Sequence, residues 1–208
     1  MDSKILLKEN KKEINSKNYF DNLKSDYFLL KIFEYIKRNK SLEIIKYNKK
    51  IQNRLKINIK DFKEYSETYS SIEIEIIPVK NEYGKFINIE DGDEAYYHIY
   101  YNDNIQEIKK YEIDEDDYIS KIKIKIDYQI KSFENLFYNC KCIESINFKK
   151  FYRNNITNMS SMFSDCISLK ELNLNNFNTN NVEEMRFMFL RCSSLKELNL
   201  NNFNTNNV

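Results

Sequence analysis

The sequence predicts an α/β chain in three parts. A helical module spans residues 1–70, a β-rich connecting and capping segment spans 71–131, and a repeat solenoid of about three units spans 132–208. Three observations carry this. MSSMFSDCISLKELNLNNFNTNNV from Met159 and MRFMFLRCSSLKELNLNNFNTNNV from Met185 agree at 19 of 24 positions, a shift of 26 residues. Isoleucines alternate with charged residues in the middle of the chain, the period of a strand with one buried face. Charge is partitioned to match: net +9 over residues 1–60, −12 over 61–119 and +4 over 120–208. Such segregation points to parts with different surfaces.

In the helical module, Phe28, Leu29, Ile32, Phe33 and Ile36 fall on one helical stripe. Ser41 is placed to cap a second helix carrying Leu42, Ile45, Tyr47 and Ile51, and Asp61 to cap a third. The run Asp26-Tyr-Phe-Leu-Leu-Lys-Ile-Phe-Glu-Tyr-Ile, then Ser41-Leu-Glu-Ile-Ile and Lys49-Lys50 through Leu55, resembles an F-box. Ser25 stands where that family has proline, and the family's tryptophan is missing. The resemblance implies docking of Phe28, Leu29, Ile32, Phe33 and Ile36 onto a Skp-type adaptor of cullin ubiquitin ligases, through residues 24–55.

The middle segment holds four strand candidates: Ser71–Ile77 ended by Pro78, Phe86–Ile89, Tyr96–Tyr101 and Ile119–Asp127. In the last, Ile122, Ile124 and Ile126 face a core while Lys121, Lys123 and Lys125 face solvent. The segment is expected to cover the first repeat, because a terminal repeat otherwise exposes a raw apolar face.

The repeat frame extends backwards to a diverged copy from Phe133 to Asn158, in which every apolar position stays apolar. Leu169-x-x-Leu172-x-Leu174-x-x-Phe177 fits the leucine-rich repeat, with a strand at Glu171–Asn175. Met159, Met162, Phe163 and Cys166, at i, i+3, i+4 and i+7, predict a short helix on the other side. The whole string is similar to the BspA-like leucine-rich repeats. That resemblance implies a leucine-rich-repeat solenoid that binds protein, often as an adhesin. Many of its extracellular members carry an export signal, whereas MDSKILLKENKKE has no long apolar stretch and no small-residue cleavage site. No apolar run reaches the roughly 20 residues of a membrane span. The expectation is a cytoplasmic protein with reduced cysteines, a surface location being disfavoured. Cys140, Cys166 and Cys192, one per repeat, are expected as a buried ladder, and Cys142 as structural.

Composition excludes several chemistries. With only Gly84 and Gly92, no glycine-rich loop can cradle a phosphate. One histidine, His98, rules out His-rich metal sites and reads as a core or surface residue. Asp91–Glu94 and Asp114–Asp117 lack the ligand spacing of a calcium loop and read as turns. Neither a cofactor nor a metal is expected, nor nucleic acid as a partner. The 30 asparagines reflect an AT-rich genome in part; the pairs Asn180-Asn181 and Asn206-Asn207 are expected to supply turn conformations that glycine supplies elsewhere.

The functional expectation is therefore a non-enzymatic protein–protein interaction scaffold. Its binding face would be the outward strand positions: Ser145, Asn147 and Lys149; Glu171, Asn173 and Asn175; Glu197, Asn199 and Asn201. The alternative is an F-box and leucine-rich-repeat substrate adaptor of a Skp-cullin-type ubiquitin ligase. Val208 falls in phase with Val182, so the pattern predicts either further repeats beyond Val208 or self-association through that end.

Overall fold

The computed structural model describes residues 19–36, 38–45 and 47–208. The leader reading of residues 1–13 lies outside them. The chain parts into two compact units, 1–59 and 60–208.

In the first unit, α1 (Asp26–Tyr35) begins at Ser25, whose hydroxyl accepts from the Phe28 N–H at 3.4 Å. It is followed by α2 (Arg38–Ile45) and α3 (Lys49–Arg54), the latter capped by Asn48, which accepts from the Ile51 N–H at 3.0 Å. Leu29, Leu42, Ile45 and Ile51 are buried, one or two per helix. Arg54 reaches Asp26 at 2.6 Å and ties α3 to the start of α1. Ser41 is not a cap: it lies inside α2 and donates to the Ile36 carbonyl at 3.3 Å.

The second unit is built on a five-stranded sheet of order β3-β5-β1-β6-β7. Its strands are β1 (Ile72–Pro78), β3 (Tyr97–Tyr101), β5 (Ile122–Ile126), β6 (Ile143–Lys150) and β7 (Glu171–Asn173). A two-residue ladder pairs β2 (Gly84–Lys85) with β4 (Glu112–Ile113). All of α4 (Ile59–Tyr69) but its first residue belongs to this unit, and Asp61 sits within the helix's first turn. Its end is fixed by the Glu67 carbonyl, which accepts from Asn154 N–H at 2.7 Å, and by Tyr69 against the Tyr128 ring. In β5 the alternation puts Ile122, Ile124 and Ile126 in the core, where Ile124 lies opposite Ile74 and Ile99. Phe86–Ile89 forms no strand, yet Phe86 and Ile87 are buried.

The expected leucine-rich-repeat solenoid does not form; the fold is a mixed, sheet-rich one. Three findings overturn it. First, the centre of the sheet is antiparallel and comes from the middle segment: β1 pairs with β5 on one side and with the first repeat's β6 on the other. The long alternating strands have two backbone edges to satisfy, and the repeat supplies only one of them. Second, the repeats contribute one parallel pair, β6 with β7, and residues 197–199 of the third repeat are not in a strand. Third, residues 159–166 are consecutive tight turns, not a helix. The N–H groups of Met162, Ser164 and Cys166 each bond the carbonyl three residues back. Ser161 and Asp165 hold φ of 54° and 60°, which a right-handed helix cannot contain.

Positive φ recurs with the 26-residue period, at Asn135, Ser161 and Phe187 and at Asn139, Asp165 and Arg191. It does not fall on Asn180-Asn181 or Asn206-Asn207. Those asparagines act through their side chains: Asn181 Nδ2 donates to the Asn154 carbonyl and Asn207 Nδ2 to the Asn180 carbonyl, both at 2.8 Å. The units lie against one another through columns of identical rings. Phe137, Phe163 and Phe189 stack at 5.7 Å, and Phe177 stacks on Phe203 at 5.5 Å.

Candidate binding surface

The alternation that buries Ile74 and Ile124 turns the intervening side chains of each strand to the opposite sheet face. Register then aligns them in rows. Tyr100 lies opposite Lys123, Lys123 opposite Glu75, Glu75 opposite Asn147, and Asn147 opposite Asn173. This row crosses all five strands. A second row sets His98 opposite Lys125, Lys125 opposite Glu73 and Glu73 opposite Lys150.

Two depressions open on this face. One, of about 530 Å³, is lined by Glu73, Glu75, Tyr100, Lys123, Lys125 and Lys149. Its charges are paired across strands, Lys149 with Glu75 at 3.2 Å and Lys150 with Glu73 at 3.5 Å. Asp103 bonds both Lys121 and Lys123, which hold its carboxyl below the usual range. The other depression, of about 590 Å³, is lined by Lys170, Glu171, Asn173, Asn175, Lys196, Glu197 and Asn199, among others.

The expected face residues are therefore placed as follows. Ser145 and Asn147 are half-buried in β6, and Lys149 is exposed at the first depression. Glu171, Asn173, Asn175, Glu197 and Asn199 line the second. Asn201 is exposed, its N–H given to the Asn199 side chain at 3.0 Å. Sequence reasoning missed Glu73, Glu75, Tyr100, Lys123 and Lys125. Their signal was present in the alternation of the two middle strands, whose polar side had been assigned only to solvent. Of the stripe in α1, Leu29 is buried, Phe28 is 62% exposed, and Phe33 packs on Phe20 at 5.2 Å between ring centres.

Several titratable groups elsewhere have partners within the fold. His98 sits between Glu107 at 3.1 Å and Asp127 at 3.4 Å. Cys166 and Cys192 each donate to the carbonyl 29 residues back, Phe137 and Phe163, at 3.0 Å. Cys142 donates to the Lys85 carbonyl at 3.2 Å. Burial pushes all four thiols up, Cys142 to about 11 and Cys166 to about 12. In the turn Asp114–Asp117, Asp117 accepts from the Asp114 N–H and from Lys110, which keep its carboxyl low.

A family profile described as "Mycoplasma protein of unknown function, DUF285" matches residues 127–208, less than half of the chain. Neither the BspA-like leucine-rich-repeat resemblance nor the F-box resemblance is supported by this match. Both rested on apolar spacings that turns and ordinary helices share. Comparison with curated proteins and with solved structures returns no match. No helix among the described residues is long and apolar enough to cross a membrane.

Proposed function

We propose that the polar face of the five-stranded sheet is a protein-binding surface and that the chain acts as a non-enzymatic interaction scaffold. The observation that carries this is the unbroken row Tyr100, Lys123, Glu75, Asn147 and Asn173, which joins two open depressions lined by lysine, glutamate and asparagine. The row sets one lysine beside one glutamate and continues into two asparagines, so its natural complement is a polypeptide that offers both charges and amide hydrogen bonds. Tyr100 is the one aromatic side chain lining the two depressions; interface hot spots favour tyrosine, tryptophan and arginine, so binding is expected to be modest and salt-sensitive. The thiols speak against nucleophilic chemistry, because a reactive cysteine needs an exposed thiolate.

The test is comparative capture from native lysate at two ionic strengths, with wild type, Glu75→Lys/Lys123→Glu and a distant control, Lys63→Glu. A partner held by wild type and control, lost from the double variant and weakened by salt, is the expected result. Identical captured sets for all three would sink the reading.

A further inference from the structure

A third depression, of about 340 Å³, lies between the loop after β1, residues 79–83, and the loop after β4, residues 114–120. It shares no lining residue with the two depressions on the sheet face. Its buried part is apolar: Pro78 and Ile113 are buried, Val79 and Ile119 half-buried. Its exposed part carries two tyrosine rings, Tyr118 at 93% exposure and Tyr83 at 45%. Glu82, Glu115, Asp117 and Lys80 make up its charged lining. Asp117 is taken up by Lys110. Glu82 and Glu115 are exposed and have no ion pair among the described residues.

Both walls are fixed from behind. The first runs into β2 and the second leaves β4, and Gly84 lies opposite Ile113 in the ladder that joins them. Val79 anchors the first wall by donating its N–H to the Cys142 carbonyl at 2.8 Å. In the second wall the Asp114 N–H donates to the Asp117 carboxylate at 2.8 Å. Asn102 then closes it: its Nδ2 donates to the Tyr118 carbonyl at 2.6 Å, and its Oδ1 accepts from the Ser120 N–H at 2.8 Å. The most exposed part of the lining therefore stands on tied backbone, and little ordering remains to oppose binding.

We propose that this depression is a second recognition site, separate from the sheet face, and that it takes an arginine side chain from a basic polypeptide. Arginine has the two parts that the lining matches. Its apolar stem suits Val79 and Ile119. Its planar guanidinium stacks on a tyrosine ring and at the same time forks onto a carboxylate, which the point charge of lysine cannot do. The volume is near the lower end of the roughly 300–1,000 Å³ of ligand sites, enough for one long side chain. Charge selects the sign. Lys80 is the one cation in the lining, against two carboxylates that lack an ion pair. The surrounding segment, residues 61–119, carries net −12 and draws a basic chain towards it.

The experiment is an NMR titration of the full chain with a blocked peptide of alternating glycine and arginine. The same peptide carrying citrulline, which keeps the shape and loses the charge, is the comparison. Expected are saturable amide shifts confined to residues 79–83 and 113–120 with the arginine peptide, and none with citrulline. Tyr118→Ala should weaken binding about two- to fivefold, and Glu82→Gln/Glu115→Gln about three- to tenfold. Glu112→Gln/Asp116→Asn removes as much charge from beside the depression and should change affinity less than about twofold. All five positions are exposed, so the variants keep the fold. Equal weakening by the two double variants would reduce the site to a diffuse acidic field and overturn the proposal. Equal binding of the citrulline peptide or of a lysine peptide overturns it as well. So do shifts centred on the sheet face, or no saturable shift up to about 10 mM peptide.

Discussion

Phe187 holds φ of 57° with its ring 66% exposed. The left-handed region suits asparagine far better than a bulky aromatic, and the equivalent residue of the first unit is Asn135, at φ 56°. Phe187→Asn is expected to stabilise the fold by about 1 kcal/mol, read as a rise in the thermal midpoint. Arg153 makes the opposite case. It is fully buried, its Nη1 donates to the Asp127 carbonyl at 2.6 Å, and its Nε and Nη2 have no partner among the described residues. Burial lowers its pKa to about 10. An incompletely satisfied buried cation is often replaced by an apolar chain without loss. Arg153→Met should leave urea stability unchanged or raise it; a loss beyond about 2 kcal/mol would refute this account of the site. Neither residue was legible in the sequence. The left-handed positions carry Asn, Ser and Phe in one column and Asn, Asp and Arg in the other, so no residue type marks them. Nothing near Arg153 in the sequence marks it as buried, because only the fold brings the Asp127 carbonyl to it.

Among the elements, the strands were the most legible. Isoleucine at every second position from 72 to 76 and from 122 to 126 left a strand as the one regular structure with a single buried face. Ile124 is buried between Ile74 and Ile99 in the register, so Ile124→Ala should cost about 2–5 kcal/mol in chemical denaturation. Lys125→Ala, on the exposed side of the same strand, should change stability by less than about 0.5 kcal/mol. What alternation could not reveal was the partner of each strand. The polar half of the candidate surface therefore stayed hidden until β1, β5 and β6 were side by side. The repeat misled for a related reason. Apolar residues at i, i+3, i+4 and i+7 line one side of a helix, but they also line one side of two tight turns in succession. The choice was made by backbone donors: at Met159, Ser161, Phe163 and Asp165 they reach the following unit instead of their own chain four residues back.

At the scale of the second unit, three buried thiols and the half-buried Cys192 set a response to pH. An unfolded cysteine ionises near 9.0, while burial keeps Cys142 protonated to about 11 and Cys166 to about 12, with Cys140 and Cys192 also raised. Between those limits the unfolded chain loses protons that the folded chain keeps. Stability is then complete below pH 9 and declines as pH rises through the folded values. The urea midpoint should fall from pH 8 to pH 10.5, and Cys142→Ala/Cys166→Ala should make that fall shallower. An unaltered slope in the double variant would assign the decline elsewhere, with Tyr97 and Tyr101, both raised by burial, the first groups to examine. Along the turn segments the backbone bonds between units run one way, although elsewhere Lys170 and Glu183 donate back to the Glu144 and Thr157 carbonyls. Eight peptide groups, from Phe133 to Asp165, point their N–H bonds along the same axis, as the peptides of an α-helix do, so their dipoles add. Along this segment the N–H ends point towards the following unit and the carbonyl ends towards Leu136 and Tyr138, where the Asn88 amide supplies partial positive charge. A stack of tight turns has acquired the macrodipole of a helix without containing one.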